Sequence, residues 1–303
     1  MSISPAVRAV RLFALVVVGG GLVYATYLLV AATTPTNADP ARSAAAIFAL
    51  AEADDLQTLK REISAGADVN ARQAAGPERG MTALMYAARA GRAAAVKALI
   101  DAKANVNAAA EDGRTALIYA AMGDRPEIVR LLVEAGARVN ARAEDNWNAL
   151  ILAAARGSAE VLAEIITAGA DLESRNKYRQ TALMLAARSG DIAKIERLLD
   201  AGANIDAADA DSNTALNIAA GSAEIKVIEL LIRKGARVDL ADAEGVTPLM
   251  RAAERGDRAA VQALLKAGAN RQAKDRRGWT ASQWAENRGD EFGREVLAAL
   301  SER

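Results

Sequence analysis

The sequence contains no cysteine and no histidine, and these absences exclude several kinds of chemistry. Without cysteine there is no disulfide, no thiolate nucleophile and no metal site with cysteine ligands. Without histidine the chain also lacks the commonest general base and the commonest metal ligand. We therefore expect no metal, no cofactor and no enzymatic activity, since any catalysis would have to use carboxylates alone.

Neither sign of charge is in excess, because 38 lysines and arginines balance 38 aspartates and glutamates. A protein that binds nucleic acid usually carries a clustered basic surface, so no nucleic-acid partner is expected. No Walker or Rossmann glycine pattern stands between a strand and a helix. The three glycines at 19–21 lie inside an apolar segment and do not suit a phosphate.

One long apolar run, residues 12–32, contains no charged residue. A transmembrane helix needs about 20 apolar residues, whereas the apolar core of a cleaved signal peptide has about 7–15. The length favours an uncleaved signal anchor at residues 1–32, followed by a linker at residues 33–43. Arg8 and Arg11 precede the run, so the positive-inside rule predicts that the remainder lies across the membrane from the cytoplasm. Cleavage near the small residues 30–32 is the alternative.

The rest of the chain repeats one pattern, whose clearest copy is residues 113–141, GRTALIYAAMGDRPEIVRLLVEAGARVNA. Openings that resemble Thr-Ala-Leu recur every 33 residues, at Thr82, Thr115, Asn148, Thr181, Thr214, Thr247 and Thr280. Self-similarity at a fixed period is the signature of a solenoid. The pattern resembles the ankyrin repeat, and the resemblance covers residues 44–303, about eight units with degenerate units at both ends.

This resemblance implies an all-α solenoid of helix-turn-helix units joined by β-turn or hairpin finger loops, after one N-terminal transmembrane or signal helix. In the second helix of each unit, apolar residues at i, i+3 and i+4, such as Val129, Leu132 and Val133, predict one buried stripe. Alanine pairs in the first helix predict close packing. The family's usual histidine after leucine is absent from every unit, so its hydrogen bonds are expected to be lost.

Two segments depart from the repeat. Residues 73–79, QAAGPER, contain four extra positions, and the glycine–proline pair marks a turn. They are either a tolerated surface insertion, which we favour, or a longer finger that contacts a partner. The last unit, residues 278–300, carries two tryptophans and is expected to cap the solenoid.

In proteins of this family, partners bind along the finger tips and the exposed end of the first helix. Those positions predict a partner-binding set here: Arg114, Met122, Glu144, Trp147, Arg156, Lys177, Tyr178 and Arg188. Exposed aromatic side chains beside arginine are typical of interface hot spots, although each ring could instead cover a gap between fingers. The arginines predict either a solvated charged face or a preference for an acidic partner segment.

The sequence therefore predicts a monomeric, non-enzymatic scaffold for protein binding, tethered to a membrane with its repeats outside the cytoplasm. A composition rich in alanine and arginine, without cysteine or histidine, is compatible with a bacterial envelope protein, in the inner membrane with the repeats in the periplasm. One alternative is a secreted effector with a cleaved signal. Another is an enzyme that depends on carboxylates such as Glu144 and Asp145.

Overall fold

The computed structural model describes residues 40–53, 55–222 and 224–302, which fall within one compact unit, Asp39–Arg303. These residues form sixteen α-helices, α1 to α16, and one 3₁₀ turn at Glu144–Asn146. The helices are α1 Pro40–Glu52, α2 Leu56–Ser64, α3 Ala83–Ala90, α4 Ala93–Asp101, α5 Ala116–Met122, α6 Pro126–Glu134, α7 Ala149–Arg156, α8 Ala159–Thr167, α9 Ala182–Arg188, α10 Ile192–Asp200, α11 Ala215–Ser222, α12 Ile225–Arg233, α13 Pro248–Arg255, α14 Arg258–Lys266, α15 Ala281–Arg288 and α16 Glu291–Ser301.

The helices lie in two layers. Each odd-numbered helix packs on the next odd-numbered helix and on the even-numbered helix of its own unit, and the even-numbered helices form the second layer in the same way. Contacts between units therefore run from neighbour to neighbour, which is the organisation of a solenoid. The predicted all-helical solenoid is confirmed.

The buried stripe of the second helix is present, with one refinement. In α6, Val129 and Leu132 are fully buried, while Val133 is partly buried and packs at the edge of the core. The same division recurs in α4, α8, α10, α12 and α14. The third position of the stripe therefore closes the core toward solvent rather than filling its centre.

The alanine pairs of the first helix lie where the odd-numbered helices meet, and Ala120 and Ala121 are fully buried. Because no space surrounds Ala120, its replacement by phenylalanine is expected to overpack this layer and cost on the order of 1–3 kcal/mol. Urea denaturation followed by circular dichroism measures this loss. The matched control is Ala94→Phe at an exposed site in α4. Equal stability of the two variants would show that the layer yields to the larger side chain.

The prediction that the histidine hydrogen bonds are lost is wrong for one unit. Asn217 takes that position in α11, and its Oδ1 accepts from the backbone nitrogen of Thr214 at 3.0 Å and from the Thr214 hydroxyl at 2.7 Å. Its Nδ2 donates to the carbonyl oxygens of Leu240 at 3.1 Å and Val246 at 3.4 Å. The prediction holds where Met85 takes the position, because the buried hydroxyl of Thr82 there has no hydrogen-bond partner.

One buried charge was not predicted. Lys194 stands in α10 where other units have an apolar residue such as Ile128 or Val161, and it is 5% exposed. Its Nζ lies 3.3 Å from Asp191 Oδ2 and donates to the carbonyl oxygen of Ala154 at 3.3 Å. That carbonyl belongs to the last turn of α7, where a positive charge is favourable. The lysine thus links one unit to the next.

Glycines close most of the second helices. Gly136, for example, has φ +85° directly after the Ala135 cap of α6, and the equivalent Lys103 adopts φ +66° without being glycine.

The predicted anchor, residues 12–32, lies outside the described residues, and so does most of the predicted linker. Among the helices that the structure describes, none is both long and apolar enough to cross a membrane.

Candidate functional site

The fingers form one continuous row along the solenoid. Each is a short hairpin, as in residues 143–147, where the backbone nitrogen of Ala143 donates to the carbonyl oxygen of Trp147 at 2.7 Å. Each finger also bonds to the next through the backbone. The nitrogen of Glu144 donates to Asp112 O at 2.8 Å, and that of Lys177 to Asp145 O at 2.7 Å. Side chains at the tips of neighbouring units therefore stand side by side.

The tip of each finger requires a left-handed residue. Gly113 has φ +78°, and a Cβ there would lie 2.9 Å from Ala143 Cα. Three consecutive fingers nevertheless have side chains at this position, namely Asn146, Arg179 and Ser212, with φ between 59° and 63°. The central fingers therefore carry an additional side chain at the tip, which the sequence analysis did not single out.

Four later fingers carry a carboxylate or amide that caps the hairpin from within. Asp242 Oδ1 accepts from the backbone nitrogens of Glu244 and Val246, both at 2.9 Å. The equivalent residues are Asn176, Asp209 and Asp275. These residues were missed by the sequence analysis, although their spacing of 33 residues is visible in the sequence. The fingers at Ala110 and Ala143 lack this cap.

The two aromatic rings predicted as contacts differ in exposure. Tyr178 is 54% exposed at the tip of its finger, and Lys177 Nζ lies 5.1 Å from its ring centroid. Trp147 is partly buried and packs against the core. Tyr178 therefore has the exposure that a contact residue needs, whereas Trp147, at the base of a finger next to the first helix, is closer to the alternative in which the ring packs between fingers.

Three of the predicted charged residues lie on the fingers. Arg114 pairs with Asp112 at 3.0 Å, and Lys177 pairs with Asp145 at 3.0 Å. Glu144 is exposed, and no hydrogen bond or ion pair engages its side chain among the described residues. Pairing between neighbouring fingers thus leaves Glu144 as an available carboxylate.

The remaining three lie at the ends of first helices. Met122 ends α5 and is partly buried against the core. Arg156 and Arg188 end α7 and α9, both are exposed, and neither has a hydrogen bond or ion pair to any described residue. The predicted arginine row is therefore unneutralised in the central units.

At the N-terminal end, by contrast, the arginine is neutralised. Arg89 NH1 lies 2.5 Å from Glu78 Oε1, and its NH2 lies 2.9 Å from Glu52 Oε1. The hydroxyl of Tyr86 donates to Glu78 Oε2 at 2.8 Å. Burial alone would raise the pKa of Glu78, but the hydrogen bonds from Arg89 and Tyr86 lower it below its usual value. The inserted loop is thus fixed to α3.

The C-terminal end carries a second closed cluster. The Asp275 carboxylate accepts from the backbone nitrogens of Arg277 and Trp279 and from Trp284 Nε1 at 3.1 Å. The Arg277 guanidinium carbon lies 4.5 Å from the centroid of Trp279 and 4.4 Å from that of Trp284. Burial would raise the pKa of Asp275, but these backbone bonds and Arg277 lower it below its usual 3.8. This cluster closes the capping unit, as the tryptophans predicted.

Two acidic side chains that catalysis could have used, Asp145 and Asp55, have structural partners instead. Asp145 is paired with Lys177, and Asp55 Oδ1 caps α2 by accepting from the backbone nitrogen of Thr58 at 3.0 Å. Hydrogen bonding to Thr58 also lowers the pKa of Asp55. Asp54 lies outside the described residues. Within the described part of the chain, no group of three or more acidic side chains is placed to hold a metal ion.

Comparison with known proteins agrees with this geometry. The family described as Ankyrin repeats (3 copies) matches residues 47–143, 150–242, 196–275 and 216–301. Among solved structures, the chain is similar to the ankyrin repeat domain of Bcl-3, described as a unique member of the IkappaB protein family. The two are 29% identical with a TM-score of 0.66, over 74% of this chain and 99% of that one. No curated protein sequence matches this chain.

Proposed function

This chain belongs to the ankyrin repeat family, and on that premise we propose that it is a non-enzymatic scaffold that captures a protein partner through its finger tips and concave face. Ankyrin repeats indicate a protein–protein interaction scaffold. The observation that carries the surface assignment is the set of unpaired charged and exposed aromatic groups in the central units: Tyr178, Arg156 and Arg188. Elsewhere on this face Arg89, Arg114 and Arg277 are neutralised by carboxylates of the chain itself.

An acidic segment is the partner chemistry that suits these central units. A guanidinium binds a carboxylate through two parallel hydrogen bonds, which gives both charge and geometric complementarity. Arg156 and Arg188 can form such bonds without first breaking an internal ion pair, because they have none among the described residues. Tyr178 adds a rigid ring that loses little conformational entropy on binding.

Site-specific cross-linking tests this surface. A benzophenone amino acid in place of Tyr178 in the full-length protein, expressed in cells, is expected to form one dominant adduct with another protein. The matched control is the same group in place of Arg197, which is exposed on the second helix of the same unit. Adducts of equal yield at both positions, or none at position 178, would reject the surface.

Charge reversal is the second arm of this prediction. Arg156→Glu with Arg188→Glu is expected to weaken capture by roughly tenfold, about 1.4 kcal/mol. The thermal midpoint should stay within a few degrees, because neither arginine makes a hydrogen bond or ion pair to the part of the chain that the structure describes. Trp147→Ala is not a suitable binding variant, since that ring packs against the core.

We further propose that residues 12–32 tether the repeats to a bacterial inner membrane, with the repeats in the periplasm. The support is the length of the uncharged apolar run and the position of Arg8 and Arg11 before it. Intact mass together with membrane fractionation of the full-length protein tests this. Soluble protein that has lost its first 32 residues or so would replace the tether with a cleaved signal.

A further inference from the structure

A cavity of about 250 Å³ opens between the inserted loop and the next two fingers. Gly76 and Pro77 of the inserted loop form one wall, and Met81 and Tyr119 form the apolar part of the lining. The rest of the wall is mostly acidic, with Glu78, Arg79, Glu111, Asp112 and Glu144. The cavity lies on the same face as the candidate partner-binding surface, beside the free carboxylate of Glu144.

The inserted loop builds this cavity. The backbone nitrogen of Gln73 donates to Met81 O at 2.8 Å, and that of Gly80 donates to Gln73 O at 2.8 Å, so the loop is an enlarged hairpin. Glu78 holds the loop to α3 through Tyr86 and Arg89. A loop fixed in this way presents a preformed wall, which lowers the entropic cost of binding.

The charges of the cavity are unbalanced. Four carboxylates line it against one arginine. Glu78 is neutralised by Arg89, Glu111 by Arg79 at 2.9 Å, and Asp112 by Arg114 at 3.0 Å. The carboxylate of Glu144 has no such cation among the described residues, so the wall keeps a net negative charge that a bound cation would neutralise.

A buried hydroxyl group adds a directional contact. Tyr119 is 5% exposed and lines the cavity, and its hydroxyl donates to Met81 Sδ at 3.5 Å. The phenol oxygen can accept from N–H donors, and the guanidinium of Arg114 already lies within hydrogen-bonding reach of it. Burial, followed by the charge of Asp112, raises the pKa of Tyr119, so this hydroxyl stays protonated at neutral pH.

We propose that this cavity binds the side chain of an arginine from the protein partner. The guanidinium has five N–H donors in a plane and can reach carboxylates and the phenol oxygen together, whereas an ammonium group has a single donor centre. This inference rests on the proposed function, because it assigns a second anchor point to the same partner. The partner segment then carries an arginine toward the N-terminal units and acidic residues toward the central units.

The test follows the methyl group of Met81 in the full-length protein labelled with ¹³C-methyl methionine. Six methionines occur in the chain, and Met85, Met184 and Met250 do not line the cavity, so they serve as internal references. The probe is N-acetyl-arginine methylamide, added to about 50 mM because a single side chain binds weakly. A saturable shift at Met81 alone is expected, with no shift from the neutral citrulline analogue.

Matched variants connect the shift to the wall. The double variant Glu111→Gln with Glu144→Gln is expected to lower the affinity for the arginine probe about fivefold, since two negative charges are removed while the shape of the wall is kept. Tyr119→Phe should lower this affinity less, and Glu244→Gln at a distant finger should leave the affinity unchanged. No shift at Met81, or equal shifts with the arginine, citrulline and lysine probes, overturns the inference.

The result separates this inference from the proposed function. If Met81 responds to arginine while position 178 yields no adduct, the cavity stands and the proposed function fails. If the adduct forms while Met81 stays unchanged, only the arginine site fails.

Discussion

Asn217→Met is expected to lower the free energy of unfolding by about 2–3 kcal/mol, because the Thr214 hydroxyl loses its acceptor and the carbonyl oxygens of Leu240 and Val246 each lose a donor. Asn217 is 1% exposed and joins the cap of α11, through Thr214, to the carbonyls of Leu240 and Val246 at the start of the next unit. Methionine fills a similar volume, and Met184 and Met250 take this position in other units. Packing therefore changes little, while the bonds to the Thr214 hydroxyl and to the two carbonyl oxygens disappear. The methionine sulfur can accept only from the Thr214 nitrogen, as Met184 and Met250 accept from Thr181 and Thr247 at 3.4 Å.

Urea denaturation followed by circular dichroism measures this loss as a lower midpoint at an unchanged slope. The matched control is Met184→Leu, an apolar exchange at the equivalent position, which should cost less than about 1.5 kcal/mol. An Asn217→Met variant as stable as that control would show that solvent or a local shift satisfies the carbonyl groups. The effect should spread over the central units, since neighbouring repeats are coupled.

Asp275→Ala is expected to destabilise the C-terminal cap by about 3 kcal/mol, because charge-assisted hydrogen bonds to two backbone nitrogens and an indole nitrogen are lost. The Asp275 side chain is 1% exposed, so water does not replace these acceptors. In a solenoid a terminal unit has one neighbour only, so we expect the last unit to open before the rest.

Tryptophan fluorescence reports this opening. The chain has three tryptophans, and two of them, Trp279 and Trp284, contact Asp275 or its finger. In a Trp147→Phe background, the fluorescence transition of Asp275→Ala should precede the transition by circular dichroism. Asp211→Ala, at an exposed finger tip, is the control and should shift neither. Coincident transitions at the parental midpoint would contradict the expected opening of the cap.

The cap should also depend on pH. The pKa of Asp275 is lowered in the folded protein, so its carboxylate contributes stability that is fully present above the unfolded value, near 3.8. That contribution is lost as the pH falls below 3.8 through the folded pKa. As the pH drops through this range, the denaturation midpoint that tryptophan fluorescence reports is therefore expected to decrease in the parent. The midpoint of Asp275→Ala should decrease less.

Local sequence patterns were sufficient for the solenoid. The stripe in α6 and the glycine after its cap depend on residues within one unit, and the 33-residue spacing shows that this unit repeats. Since every unit packs only on its neighbours, repetition of a correct unit predicts the whole architecture. The predicted loss of the histidine hydrogen bonds agrees with the unpartnered hydroxyl of Thr82.

Contacts between units decided what the pattern left open. Whether Arg89 is paired depends on Glu78 and Glu52, which lie 11 and 37 residues away in sequence. Whether Asn217 replaces the histidine depends on backbone carbonyls 23 and 29 residues away. The inserted loop is the clearest case. Its turn was readable from Gly76 and Pro77, but Glu78 reaches α3 and completes an acidic cavity only in the folded protein.

The sequence alone thus determined the repeat, its period, the apolar stripe of the second helices and which residues lie on the face of the fingers and first-helix ends, because each follows from local helix periodicity and turn chemistry. Only the tertiary structure decided which charges on that face are free. An ion pair forms when two units bring a carboxylate and a cation within about 4 Å, and periodicity does not encode this distance. Arg156, Arg188 and Glu144 have no ion pair with another described residue, and the binding proposals depend on them.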